Sequence, residues 1–256
     1  MGSSDRPRKP LAYRNEKFLD SDDARPLRIL AEYLEPMQAF KREHIRDTIV
    51  FFGSARLTGE GPLGRYYDAA RELARLITAW SMSLPATARS FVVCTGGGGG
   101  IMEAANRGAS EAGGKTIGLN IGLPREQQTN AYITPELGFE FHYFFMRKLW
   151  FAYLARALIV FPGGFGTLDE LTEILTLMQT GKLERHVPIL LYGSSYWNEI
   201  LNFEALVRHG MIDRADLELF QFADEPAAAL RLLQARIETE PEEAEPAVTR
   251  TRASDG

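Results

Sequence analysis

A chain of 256 residues with a net charge of −5, 45% hydrophobic and 25% charged, is long enough for one large α/β domain with a full core. The acidic balance argues against a surface that coats nucleic acid, and the single cysteine, Cys94, excludes an intramolecular disulfide or a cysteine-rich metal site. No apolar run is as long as a membrane span and no secretory signal opens the chain, so a cytoplasmic protein without a membrane or nucleic-acid partner is expected.

Residues 1–23 are polar and basic and are expected to be disordered. Leu27, Leu30, Tyr33 and Leu34 mark a short amphipathic helix, which Pro36 should end or kink. From Thr48 the pattern alternates: strand Thr48–Phe52, helix Gly64–Trp80, strand Ser90–Cys94, helix Ile101–Ala112, strand Lys115–Leu119. A polar loop follows, then helix Phe145–Arg156, strand Ala157–Phe161, helix Leu168–Thr180, strand Val187–Leu191 and helix Tyr196–Arg208. A short strand near Leu217–Phe222 and a helix Glu225–Ile237 close a single domain, 24–237. The tail 238–256, with five glutamates and two prolines before Val248, is expected to be disordered. Such alternation predicts an α/β fold: a Rossmann-like, doubly wound parallel sheet with helices on both faces.

Ligands of such sheets bind beyond the carboxyl ends of the strands. Three glycine-bearing loops stand there: Gly53-Ser54-Ala55-Arg56, Gly96–Gly100 and Gly163–Gly166. Their convergence would suit a nucleotide. The dinucleotide fingerprint fails, because Ile101 stands at its third glycine, and the phosphate-loop pattern ending in Gly114-Lys115-Thr116 fails, because Ala109 stands at its first. Neither NAD nor ATP-driven chemistry is supported. The four histidines lack metal-ligand spacing, Ser54 lacks a nucleophile elbow, and no cofactor or metal is expected.

The most informative stretch is Pro162-Gly163-Gly164-Phe165-Gly166-Thr167-Leu168-Asp169-Glu170. A glycine turn between a strand and a helix gathers free backbone N–H groups at a positive helix end, which suits a phosphate. Thr167 and Glu170 also fit a capping box, in which the pair would serve only the helix. This stretch resembles the PGGxGTxxE signature of the Lonely Guy family, once mislabelled lysine decarboxylase. Arg147-Lys148 and the Gly96–Gly100 loop with Met102-Glu103 stand where that family has theirs, and the resemblance covers about Thr48 to Leu230.

The resemblance implies a phosphoribohydrolase that cleaves a nucleoside 5′-monophosphate, AMP or an N6-modified (cytokinin) relative, to free base and ribose 5-phosphate. By position, Gly164, Gly166 and Thr167 would hold the phosphate, while Arg147, Lys148, Glu126 and Glu170 would surround the ribose, with Arg147 and Glu170 catalytic. Gly53, Ser54, Gly97, Gly98, Met146 and Phe165 complete the expected substrate contacts. Phe144-Phe145-Met146 precede Arg147 where many members have Met-His-Glu or Met-His-Gln, so base preference stays open. The helix end should keep Glu170 ionised, as stabiliser of a ribosyl cation or as base. The family also implies a homodimer or higher oligomer, for which the apolar segment Leu149 to Leu158 is the expected surface. The competing class is a non-catalytic nucleotide-binding or carrier module, which would need the glycine cradle but no acid at the sugar.

Overall fold

The computed structural model describes residues 9–85, 90–122, 129–183 and 186–238. In chain order the helices and strands are α1 (Glu16–Leu19), α2 (Arg25–Arg42), β1 (Asp47–Phe52), α3 (Arg65–Ser83), β2 (Phe91–Thr95), α4 (Ile101–Glu111), β3 (Thr116–Ile121) and β4 (Gly138–Phe141). Then come α5 (Phe144–Tyr153), β5 (Ala155–Val160), α6 (Phe165–Gln179), β6 (Ile189–Tyr192), α7 (Ser194–Ile200), α8 (Phe203–Arg208), β7 (Phe220–Ala223) and α9 (Pro226–Glu238). Among the described residues, seven strands form one sheet in the order β4-β3-β2-β1-β5-β6-β7, every neighbouring pair parallel. This is the expected doubly wound, Rossmann-like architecture. No described helix is long and apolar enough to cross a membrane.

Strand alternation divides the core. Ile49 and Phe51 of β1 face α3, α4 and α9, packing with Leu73, Ile77, Ala104 and Leu233. Val50 and Phe52 face the other layer, with Phe40 of α2, Trp150 of α5, Leu171 of α6 and Trp197 of α7. Buried on both faces, β1 and β5 are apolar almost throughout, which is why they read as continuous runs. The chain leaves β1 toward β2 and later returns to pair β5 on the other flank of β1. The helices that follow β1 and β5, α3 and α6, therefore pack on opposite faces of the sheet, and a crevice lies at this switch point.

Several boundaries differ from expectation. Pro36 does not end its helix: α2 continues to Arg42 and buries Pro36, Ala39 and Phe40. The Glu32 carbonyl, which loses its helical donor because Pro36 has no N–H, accepts instead from Trp150 Nε1 at 3.0 Å. Helix α5 stops at Tyr153, and Arg156 lies in β5 with 1% exposure, because parallel pairing with β1 begins at Ala155. The single helix expected over Tyr196–Arg208 is two, the second capped by the Asn202 side chain, which accepts from the Ala205 N–H at 2.9 Å. Residues Arg214–Leu219 form a 3-10 turn ahead of β7, and edge strand β4 had no counterpart in the sequence reading.

Three short helical turns lie between Ala12 and Ala24, almost wholly in the stretch expected to be disordered, and Arg28 Nη1 ties the second to the third by donating to the Leu19 and Ser21 carbonyls. Residues 1–8 and 239–256 lie outside the described residues. The segment Leu149 to Leu158 does not present the expected apolar surface. Trp150, Phe151, Leu154, Ala155, Ala157 and Leu158 are buried in the chain's own core, and exposure falls instead on Phe144, Phe145 and Leu149.

Candidate functional site

The three glycine loops meet at the crevice through their backbones. Phe161 N–H donates to Phe52 O at 2.8 Å, Ser54 N–H to Pro162 O at 3.0 Å, and Ile101 N–H to Ser54 O at 3.1 Å. Such close approach demands glycine. At Gly100 φ is +64° and an added Cβ would lie 2.2 Å from Ser54 O; at Gly53 it would lie 2.7 Å from Ile101 Cγ2. Gly53 and Ser54, expected to touch substrate, are thus engaged in joining the loops, and Ser54 Oγ accepts from Arg56 N–H at 3.1 Å.

Gly97 and Gly98 are buried and held from behind by asparagines that the sequence reading missed. Asn130 Nδ2 donates to Gly97 O (3.2 Å), Gly98 O (3.0 Å) and Asn106 Oδ1 (3.0 Å). Asn106, fully buried, also accepts from Thr95 Oγ1 at 2.7 Å, and that hydroxyl accepts from Gly97 N–H at 2.9 Å. The one signal for this network was a polar residue, Asn106, on the helix face that otherwise buries Ile101, Ala104, Ala105 and Ala109. Glu126 lies outside the described residues.

The turn after β5 differs from expectation at one point. Helix α6 begins at Phe165, not Leu168, and Gly164 is its N-cap. Thr167 is therefore the third residue of the helix and caps nothing, so the capping-box reading fails. Gly163 is packed, since a Cβ there would meet Thr167 Oγ1 at 2.1 Å, and its carbonyl accepts from Tyr196 OH at 2.7 Å. Gly164 and Gly166 have nothing within 4 Å of an added Cβ. Phe165, Gly166 and Thr167 place first-turn N–H groups at this open end, where an intrahelical acceptor is lacking and an anion can serve.

Beside that end lies an ion pair between Arg147 of α5 and Glu170 of α6, whose side chains are 12% and 11% exposed. The Arg147 guanidinium also lies 5.3 Å from the Phe151 ring centroid and 5.7 Å from that of Phe144. Burial pushes the Glu170 carboxyl up to about 7, against the opposing pull of Arg147. The helix end does not hold it fully ionised as expected. Glu170 is the sixth residue of α6. The helix-end effect is worth only ~0.3–1 kcal/mol and fades beyond the first turn, whereas desolvating a carboxylate costs several kcal/mol. Arg147 Nε is buried without an acceptor among the described residues, so a ligand oxygen could satisfy it.

The remaining expected contacts spread out. Lys148 Nζ pairs with Asp169 at 2.8 Å and Glu173 at 3.1 Å, fastening α5 to α6. Met146 is core, 5% exposed, whereas Phe165 stands 93% exposed between Gly164 and Gly166. Among the described residues no three His, Cys, Asp or Glu side chains gather as metal ligands.

A family model described as "Possible lysine decarboxylase" matches residues 102–233. A probable cytokinin riboside 5′-monophosphate phosphoribohydrolase of Oryza sativa subsp. japonica is 31% identical over 179 residues, 67% of this chain and 75% of that protein. A cytokinin riboside 5′-monophosphate phosphoribohydrolase of Arabidopsis thaliana is 28% identical over 185 residues, 71% and 79% of the two chains. In fold alone, the molybdenum cofactor binding protein of Rippkaea orientalis is similar, with a TM-score of 0.52 at 20% identity over 75% of this chain and 98% of its own. With the family model matching more than half of the chain and a relative 31% identical over 67% of it, the chain belongs to the Lonely Guy, or "Possible lysine decarboxylase", family.

Proposed function

We propose that the protein is a phosphoribohydrolase that cleaves the N-glycosidic bond of AMP or an N6-modified AMP, without metal or cofactor. The observation that carries this reading is the buried Arg147–Glu170 pair beside the open N-terminus of α6. Backbone N–H groups of Phe165, Gly166 and Thr167 hold the 5′-phosphate, and Arg147 adds positive charge and a donor. As the bond between C1′ and the base breaks, its electron pair leaves with the base and positive charge develops on the ribose. The Glu170 carboxylate stabilises that charge and accepts a proton from the attacking water. The water oxygen becomes the C1′ hydroxyl of ribose 5-phosphate, and the departing base takes up a proton.

A carboxyl titrating at about 7 suits a base at neutral pH. A nucleotide carrier has no use for a buried acid at the sugar, which favours catalysis over the binding-module alternative. We further propose a homodimer or higher oligomer in the cytoplasm, with the exposed Phe144, Phe145 and Leu149 of α5 as the contact surface. The test is incubation of the purified protein with AMP, its N6-isopentenyl analogue and adenosine, followed by separation of products. Free base and ribose 5-phosphate should appear from the monophosphates, and adenosine should be a poor substrate. AMP bound but left intact would instead support a carrier.

A further inference from the structure

We infer that Glu32, on the helix preceding the sheet, is a positioning residue for the Arg147–Glu170 pair: it fixes α5 at two points and so aims the guanidinium that α5 carries between them. The inference rests on the phosphoribohydrolase reading of that pair. Helix α2 lies outside the residues matched by the family model, 102–233.

The first N–H groups of a helix lack intrahelical acceptors. At the start of α5 the N-cap is Tyr143, whose side chain makes no capping bond. Glu32 supplies acceptors from another helix to that N-cap and to the residue before it: one carboxylate oxygen takes the His142 N–H at 2.7 Å, the other the Tyr143 N–H at 3.2 Å. The backbone of the same residue holds α5 about two turns further on. Its carbonyl, lacking a helical donor because of Pro36, accepts from Trp150 Nε1 at 3.0 Å. Together with the Lys148 pairs to α6, these two contacts restrain both the rotation and the axial position of α5.

Neighbouring side chains reinforce the grip. Tyr33 stacks on Trp150 with ring centroids 5.5 Å apart, Phe40 meets it edge-on at 5.3 Å, and the Arg25 guanidinium lies 5.6 Å from the Tyr143 ring. Arg147 lies between the two fixed points, one turn beyond Tyr143, where the positive helix end disfavours a cation. The Glu32 carboxylate at that end offsets the penalty.

The experiment compares Glu32→Gln, which is isosteric and keeps one acceptor oxygen, with Glu35→Gln, an exposed position on the same helix. Three quantities are measured: the titration of the Glu170 carboxyl by carbon-detected NMR, the pH profile of kcat/KM on AMP, and Tm. The groups facing Glu170 are Arg147 and Lys148 of α5, Asp169 beside it, and the buried Cys94 of β2. Arg147 opposes the burial that raises Glu170, so its displacement moves the Glu170 titration, and the acid limb of kcat/KM, to higher pH.

The expected result for Glu32→Gln is that upward movement together with a roughly tenfold loss of kcat/KM, with Glu35→Gln unchanged. A lower Tm with titration and kcat/KM both unmoved would make Glu32 a structural tie only and overturn the inference. If the wild-type protein hydrolyses no nucleoside monophosphate, the functional reading fails separately. The Glu170 titration in Glu32→Gln then still decides whether Glu32 governs the pair.

Discussion

Two glycine-rich turns bound the crevice, and they use glycine for opposite reasons. In the turn after β2, Gly100 is crowded by neighbouring backbone and adopts positive φ, and an asparagine network clamps Gly97 and Gly98. In the turn after β5, Gly164 and Gly166 face open space, with nothing that a Cβ would strike. The first turn needs glycine to fold; at Gly164 and Gly166 the second leaves open space, which the proposed phosphate would fill. The same letter in a sequence thus marks a crowded backbone in one loop and open room in the other.

Substitutions can break this contrast. The largest effect is expected at Gly100→Ala, where the new methyl would enter the Ser54 carbonyl and hold a strained φ. We expect a loss of about 4 kcal/mol or no folded protein in urea titration; a variant within about 1 kcal/mol of wild type would mean that the loop can yield.

Next comes Glu170→Gln, which should fold, bind AMP and lose about a hundredfold or more in turnover, equivalent to ~2.7 kcal/mol. Near-normal turnover would return the residue to a structural role. The same variant tests the electrostatics. The native pKa of Glu170 exceeds its unfolded value of 4.5, so its protonated form favours the folded state, and that contribution is lost as pH rises from 4.5 through about 7. Wild-type Tm should therefore fall relative to the variant between about pH 5 and about pH 8, and wild-type kcat/KM should drop below about pH 7 as the base is protonated. A parallel pair of Tm curves would contradict the raised pKa.

The smallest change in folding is expected at Gly166→Ala, inside the first turn of α6 with free space around it. Alanine should stabilise the helix by roughly 0.5–1 kcal/mol, while its methyl crowds the phosphate seat and weakens AMP binding about tenfold. Unchanged affinity by calorimetry would move the phosphate elsewhere.

The sheet was legible in the sequence because its central strands are buried on both faces and announce themselves as apolar runs. Edge strand β4, Gly138-Phe139-Glu140-Phe141, is too short and too mixed for that signal. The start of α6 was misplaced because Phe165-Gly166 reads locally as turn, although the chain there is already helical. Glu170 was legible from its motif, but its environment was not, since burial depends on Arg147, 23 residues away. Asn130 and Glu32 were invisible for the same reason. They act on backbone 33 and 110 residues distant, and periodicity carries no trace of such contacts.

The proline inside α2 has an evolutionary consequence. A helix-interior proline ordinarily costs ~3 kcal/mol, partly through the donor it withholds, and here the Trp150 indole, 118 residues along the chain from the Glu32 carbonyl, stands in for that donor. Positions 36 and 150 therefore form an epistatic pair. Trp150→Phe alone orphans the Glu32 carbonyl, and Pro36→Ala alone sets a helical N–H in competition with the indole. Changed together they restore a satisfied carbonyl, so a double-mutant cycle should show coupling of about 1 kcal/mol, and a change at either site should be tolerated better beside a change at the other.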